Sequence, residues 1–410
     1  MQTLKELYKI GPGPSSSHTL APYRACRLYL ESYPHTASAK IKLYGSLSLT
    51  GKGHFTDKII MDTFAPRTCD VEFLLDWDYP FPNGFTIDGY DDRGLHIARW
   101  TVYSLGGGSI QIVERPDLIV SEPYKEKNMT EIIKVCSENH WSFADYVFHY
   151  EDEQLTDYLS DILDAMLNCV KRGLNASGVL PGKLGIERCA KNMYLKSKTI
   201  EDPHEEMKVR LMSYAYAASE ENAGNGQVVT APTLGACGIL AAYMYMMYYD
   251  QKVSRKKLIQ SLAVGGLFGN VIKQNATISG AVGGCQAEIG AACCMCAAAS
   301  AFLHDLNLKQ IEYAAEIAME HHLGLTCDPV GGYVIIPCIE RNAVGVLRAV
   351  DAMTLSKYLS KIKENVVNFD TVVRTMKYTG HKLPLELKET SLGGLAQEVV
   401  IQGEQDHEEA

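Results

Sequence analysis

Gly283-Gly284-Cys285-Gln286-Ala287-Glu288-Ile289-Gly290, Cys327-Asp328-Pro329-Val330-Gly331-Gly332 and Pro337-Cys338-Ile339-Glu340-Arg341-Asn342 mark out the stretch 280–342, on which the second half of the chain is organised. Cys285 leads into a run of small residues whose spacing predicts a helix over 285–303. Cys327 and Cys338 fall instead on Gly- and Pro-rich turns, where the backbone can bring a thiol close to a ligand. Thiolates borne on such loops suit a soft metal. Three of them are one fewer than the four of a closed zinc or iron–sulfur site, so a metal held this way keeps one position open for substrate. The spacing alone leaves a rival standing, because none of the three cysteines belongs to a short C-x-x-C pair.

Outward from this stretch the periodicity is helical almost throughout 155–361. Candidate helices cover 155–171, 206–220, 236–249, 254–268, 285–303, 308–320 and 340–361. They are rich in Ala, Gly, Ser and Cys, which permits close backbone packing around a buried site and is equally expected of any tight bundle. Cys293, Cys294 and Cys296 read as small apolar fillers on one of them. The most apolar region, 228–247, is diluted by Gly, Pro and Thr, has no clean membrane-length run, and reads as buried helix.

Upstream the pattern changes. Residues 39–44, 71–74 and 109–113 alternate polar and apolar side chains, and 19–31 has helical spacing, which predicts a sheet backed by helix. A polar stretch over 114–154, with Arg115-Pro116-Asp117 and Glu122-Pro123-Tyr124, serves as the boundary. The expected architecture is therefore a two-domain α+β chain. An N-terminal α/β domain with a mixed sheet occupies 1–150, and an all-helical domain carrying the cysteines occupies 151–365. The remainder, 366–410, ends in Gly403-Glu404-Gln405-Asp406-His407-Glu408-Glu409-Ala410 and is expected to be an acidic, frayed tail.

Composition narrows the function classes. At 410 residues and 46% hydrophobic, the chain can bury large cores. A net charge of −10 without a long basic run argues against a nucleic-acid partner and for small molecules. The N-terminus lacks the apolar core of a secretory signal, so a cytoplasmic protein with no membrane association is expected. There its twelve cysteines would be reduced thiols.

Two loops of the first domain carry further chemistry. Gly11-Pro12-Gly13-Pro14-Ser15-Ser16-Ser17-His18-Thr19 sets three hydroxyls and an imidazole ahead of a helix, where they can cap free amides or help hold an anion. Leu49-Thr50-Gly51-Lys52-Gly53-His54 follows a strand and again offers glycines with a histidine. Taken with the cysteine segments, Gly45-Ser46-Leu47, Val228-Val229-Thr230-Ala231-Pro232-Thr233 and Asn275-Ala276-Thr277-Ile278-Ser279-Gly280, these loops resemble the iron–sulfur-dependent L-serine dehydratases over nearly the whole chain.

The resemblance implies a lyase of amino-acid catabolism that converts L-serine to pyruvate and ammonia. It assigns Cys285, Cys327 and Cys338 as ligands of a [4Fe-4S] cluster and His54 and His18 as the acid–base groups. Ser15, Ser16, Ser17, Thr19 and Asn275 become substrate-binding residues, and a homodimer is implied. The site is expected where the loops of the first domain dock over the helical one. Two positions depart from the family pattern, Leu234 and His322, each standing where an asparagine is common, and no cysteine follows Cys338 to reach the open iron. These departures motivate a rival, a lyase of the same scaffold acting on another β-substituted amino or hydroxy acid. A non-catalytic cluster sensor is a second rival. A pyridoxal-phosphate enzyme is a third and lacks a lysine in a suitable setting.

Overall fold

The computed structural model describes residues 1–76, 81 and 83–399. Among them seven strands form two sheets: β1 (Ile10–Pro12), β2 (Ser38–Gly45), β3 (Thr68–Phe73), β4 (Asn83–Tyr90), β5 (His96–Gly106), β6 (Ser109–Ile112) and β7 (Gln227–Val229). The larger sheet has the order β3-β2-β4-β5-β6; β2 and β3 run parallel and every other pair is antiparallel, so the sheet is mixed as expected. Along β2 the alternation does its usual work: Ala39, Ile41 and Leu43 are buried while Lys40 points outward. Helices Ala21–Ser32 and Thr56–Phe64 cover that face through Tyr29, Cys26, Ile60 and Phe64.

The helical body is built around Ala291–Leu303, a helix buried almost all round. Arg255–Asn275, Leu308–Glu320, Cys338–Leu359 and Cys237–Tyr245 pack against it. Small residues allow the close approach: a Cβ at Gly265 would stand 2.8 Å from the Met295 carbonyl oxygen. Cys293, Cys294 and Cys296 lie in this packing, all fully buried. Gln286–Leu303 is the one helical stretch among the described residues long and apolar enough to cross a membrane, and 89% of it is buried inside the fold. Polar caps start the surrounding helices, among them Asp202 for Pro203–Ala223 and the Asn307–Gln310 capping box for Leu308–Glu320.

Three features differ from the expectation. The stretch 228–247 is not one helix. Val228 and Val229 pair with Gly11 and Ile10 as β7 against β1, and the helix begins only at Cys237, after a turn containing Pro232 and Gly235. Through β1, with Leu4, Leu7 and Tyr8 buried in the helical core, the first twelve residues join the helical body to the serine-rich loop. The third difference lies after residue 365. Phe369–Lys382 is a helix that buries Phe369, Val372, Val373 and Met376, and a strap of residues 385–398 follows it back across the protein. Residues 400–410, where the acidic tail was expected, lie outside the described residues.

Candidate active site

The serine-rich loop turns at Ser15, whose extended backbone and side chain cap a short π-helical turn, Ser16–Leu20. Ser15 Oγ accepts from the His18 amide at 3.2 Å. His18 has no exposed surface. Its Nε2 donates to the Ser46 carbonyl at 3.0 Å and lies 2.9 Å from Thr50 Oγ1, which leaves Nδ1 to accept from Ser17 Oγ at 2.8 Å. Both ring nitrogens are thus engaged, and burial pushes its pKa down to about 4 against the pull of the Ser46 carbonyl.

His54 is only 1% exposed and stacks on His18 with ring centroids 4.3 Å apart. A carbonyl can only accept, so the 2.9 Å contact with the Thr50 oxygen makes Nδ1 the donor and leaves Nε2 with its lone pair. Burial, then the neighbouring His18, holds its pKa well below the ordinary imidazole value, so the ring is neutral and proton-accepting. The two loops are tied together by Thr19 Oγ1, which donates to the His54 carbonyl at 2.9 Å.

Opposite stand the cysteines. Cys285 caps the turn Gln286–Gly290, Cys338 opens the helix Cys338–Leu359, and Cys327 is paired with the strap: its amide donates to Leu387 O at 2.8 Å and the Glu389 amide donates to Cys327 O at 2.7 Å. One buried cavity is lined by all three cysteines together with Ser15, His54, Glu288 and Glu389. Ligand atoms of Cys285, Glu288 and Cys327 lie within 4.8 Å of one another. Cys338 lines the same cavity without joining that close group.

The donor set fits a metal. A hydrogen bond with Cys285, together with burial, pushes the Cys327 thiol well above its usual pKa, and burial with Cys285 nearby does the same to Cys338. These thiols keep their protons until a cation draws them off. Gly280 keeps the cradle open: a Cβ there would stand 2.6 Å from Glu288 Oε2 and 3.3 Å from Cys327 Sγ. His18, His54 and Glu389 also bring ligand atoms within 4.8 Å of one another, but His18 has spent both nitrogens, so this trio is a hydrogen-bonded arrangement and not a ligand set.

The serines divide their work. Ser15 lines the cavity, whereas Ser16 Oγ accepts from the Leu234 amide at 2.6 Å, Ser17 serves His18, and Thr19 serves the His54 loop. Asn275 is not brought to this cavity. Its side-chain nitrogen donates to Lys127 O at 2.7 Å and Val271 O at 3.1 Å, beside a separate groove with Asp370 and Arg374. Leu234 is fully buried, His322 spends Nδ1 on Ala318 O at 2.7 Å, and neither lines the cavity.

Sequence reasoning missed two carboxylates. Burial, with Glu389 beside it, pushes Glu288 up to about 8, and burial pushes Glu389 up to about 7. Glu288 lies three residues after Cys285, within reach of the same turn. Glu389 was hidden in the supposed tail, where Thr390-Ser391-Leu392-Gly393-Gly394 is a turn signature that breaks the acidic pattern.

The walls meet where Gly53 crosses the Cys327 turn: a Cβ on Gly53 would sit 2.8 Å from Gly331 O and from Gly332 C and O, all rigid backbone. Gly53→Ala is therefore expected to push the His54 loop away and cost about 1–3 kcal/mol of stability. A thermal melt checks it.

Comparison with known proteins bears on both walls. The model of the serine dehydratase beta chain matches residues 3–75 and that of the serine dehydratase alpha chain matches 110–396. The L-serine dehydratase of Streptomyces coelicolor is 36% identical, with 96% of this chain and 98% of the relative aligned. That of Haemophilus influenzae is 35% identical, covering 98% and 100%, and L-serine dehydratase 1 of Escherichia coli is 36% identical, covering 97% and 99%. Ser15 and His54 fall in the first matched stretch and the cysteines, Glu288 and Glu389 in the second, so the cavity is assembled from both, and the chain belongs to the serine dehydratase family.

Proposed function

We propose that this chain dehydrates L-serine to pyruvate and ammonia with a [4Fe-4S] cluster held by Cys285, Cys327 and Cys338. The observation that carries the proposal is that two buried thiols, a half-buried third and an imidazole with a free Nε2 line one cavity. When bound, the cluster supplies a Lewis-acidic iron for the substrate's β-hydroxyl, a poor leaving group on its own. His54 Nε2 takes the α-proton as the Cβ–O bond breaks, and the departing hydroxide receives that proton to leave as water beside aminoacrylate; tautomerisation and hydrolysis then yield pyruvate and ammonia. His18 is the positioning residue, stacked on His54 and fixed at both nitrogens. Ser15 offers a hydroxyl to the substrate carboxylate. Burial of the site keeps water from competing for the cluster.

The rival lyase reading loses its motive, since neither Leu234 nor His322 lines the cavity. Lys9, whose pKa is lowered to about 7 by burial, is tied to Glu6 and Ser109 and is absent from the lining, which leaves a Schiff-base role without support. Twelve unpaired cysteines suit a reducing compartment, so the proposal includes a cytoplasmic setting. A homodimer rests on the family resemblance.

Anaerobically purified protein should contain roughly four iron and four sulfide per chain, release pyruvate from L-serine, and show an electron-resonance signal that L-serine perturbs. No turnover of L-serine, or turnover by metal-free protein, would overturn the proposal.

A further inference from the structure

Glu389 is held in the cavity without a charged partner for its carboxylate. Its amide donates to Cys327 O at 2.7 Å and its carbonyl accepts from Ser46 Oγ at 3.0 Å, so the backbone is clamped to both walls and the side chain cannot swing out to water. The residue is 6% exposed. Oε1 meets Ser17 Oγ at 3.3 Å, whereas Oε2 is buried with no hydrogen-bond partner. Even the Ser17 contact is shared, because that hydroxyl has one proton and stands closer, at 2.8 Å, to His18 Nδ1.

The Ala281 amide also favours its ionised form, yet among the described residues no positively charged group meets this carboxylate. Among the described residues no lysine or arginine lines the cavity, and Arg341, behind the cysteines, is engaged by Thr326 O, Asp328 and Cys285. The other carboxylate, Glu288, opposes it and lies 3.8 Å from Cys327 Sγ, on the metal side. The unpartnered acceptor oxygen of Glu389 fits a compact, positively charged donor carried in by the ligand.

Resting on the proposed L-serine activity, we infer that Glu389 receives the α-ammonium group of the substrate and so selects α-amino acids over the matching 2-hydroxy acids. The placement is self-consistent. Glu389 Oε1 meets Ser17 while its backbone is bonded to Cys327, and His54 lines the same cavity, so an amino acid anchored at Glu389 would share that cavity with the thiols and the His54 imidazole.

The test compares L-serine with glycerate, in which a hydroxyl replaces the ammonium. On anaerobic, metal-loaded enzyme, calorimetric affinity for each compound and the KM and kcat for L-serine are measured in native protein and in Glu389→Gln. The variant should bind L-serine about 10- to 100-fold more weakly, the loss of one charge-assisted contact, while glycerate affinity stays within about 3-fold. The loss should fall mainly on KM, because the ammonium is held alike in ground and transition states. An unchanged serine-to-glycerate ratio overturns the inference, as does an equal shift of that ratio in Glu288→Gln. If Glu389→Gln is recovered without iron, Glu389→Asp replaces it: drawing the charge back by one methylene should lower the ratio several-fold, and an unchanged ratio again overturns the assignment. Native enzyme that fails to turn over L-serine would instead sink the proposed function itself.

Discussion

Cys327→Ala is expected to yield a folded, colourless protein without dehydratase activity. Cys327 is the cysteine that ties the strap to the site: its backbone holds the strap at Leu387 and Glu389, and its sulfur lies beside Glu288. The substitution leaves the backbone bonds intact and removes only the sulfur, so it deletes one of the three proposed ligands without unthreading the strap. A pair of thiolates has too few donors to hold a cluster against solvent and oxygen. The fold itself should survive, since losing one buried sulfur costs about 1–2 kcal/mol, within the margin of an ordinary domain. Visible absorbance, iron content and anaerobic pyruvate release check the result. Cys293→Ala is the matched control: it is equally buried but contacts only packing groups and the Gly345 carbonyl, so it should keep both iron and turnover. An active, iron-free Cys327→Ala protein would contradict the ligand assignment.

What could be read from the sequence followed the strength of its periodic signal. Alternation in β2 and the 3.6-residue pattern of Leu155–Gly173 and Leu308–Glu320 report a one-sided environment, and those elements stand where they were expected. β4 and β5 went unread because their central residues are buried on both faces, which erases the alternation. β1 and β7 are three residues each and exist only through pairing across more than two hundred residues, which no local pattern encodes. Phe369–Lys382 is a different case: Phe369, Val372, Val373 and Met376 have helical spacing, which the acidic end of the chain masks in the composition of the segment as a whole. The site divides the same way. Cysteines on glycine turns and histidines behind serines are chemically conspicuous. Glu288 and Glu389 are common residues whose significance lies in burial, and Asn275 is a motif residue that the fold turns elsewhere.

His54→Ala is expected to separate chemistry from metal binding: iron and colour stay, and kcat for L-serine falls by about 10²-fold or more, the usual contribution of a positioned base. The argument turns on the difference between the two stacked imidazoles. His18 has spent Nε2 on Ser46 and Thr50 and Nδ1 on Ser17, so it could move a proton only by first breaking its own hydrogen bonds. His54 anchors through Nδ1 alone, keeps Nε2 free, and lines the cavity that His18 does not reach. Its depressed pKa works in the same direction: the ring remains unprotonated down through the mildly acidic range, so native kcat should not fall as pH drops through the ordinary imidazole value near 6.5. A primary isotope effect with α-deuterated serine distinguishes loss of the base from a general loosening of the site. Removing the base makes proton abstraction rate-limiting and enlarges the effect, whereas a displaced loop, as in Gly53→Ala, lowers the population of competent enzyme and leaves the effect as it was. His18→Gln, which removes a neighbour and not the base, should slow turnover less than His54→Ala and keep the native isotope effect. If the two variants were to exchange these signatures, the base would be His18, and the hydrogen bonds that fix it in the resting protein would have to open during each turnover.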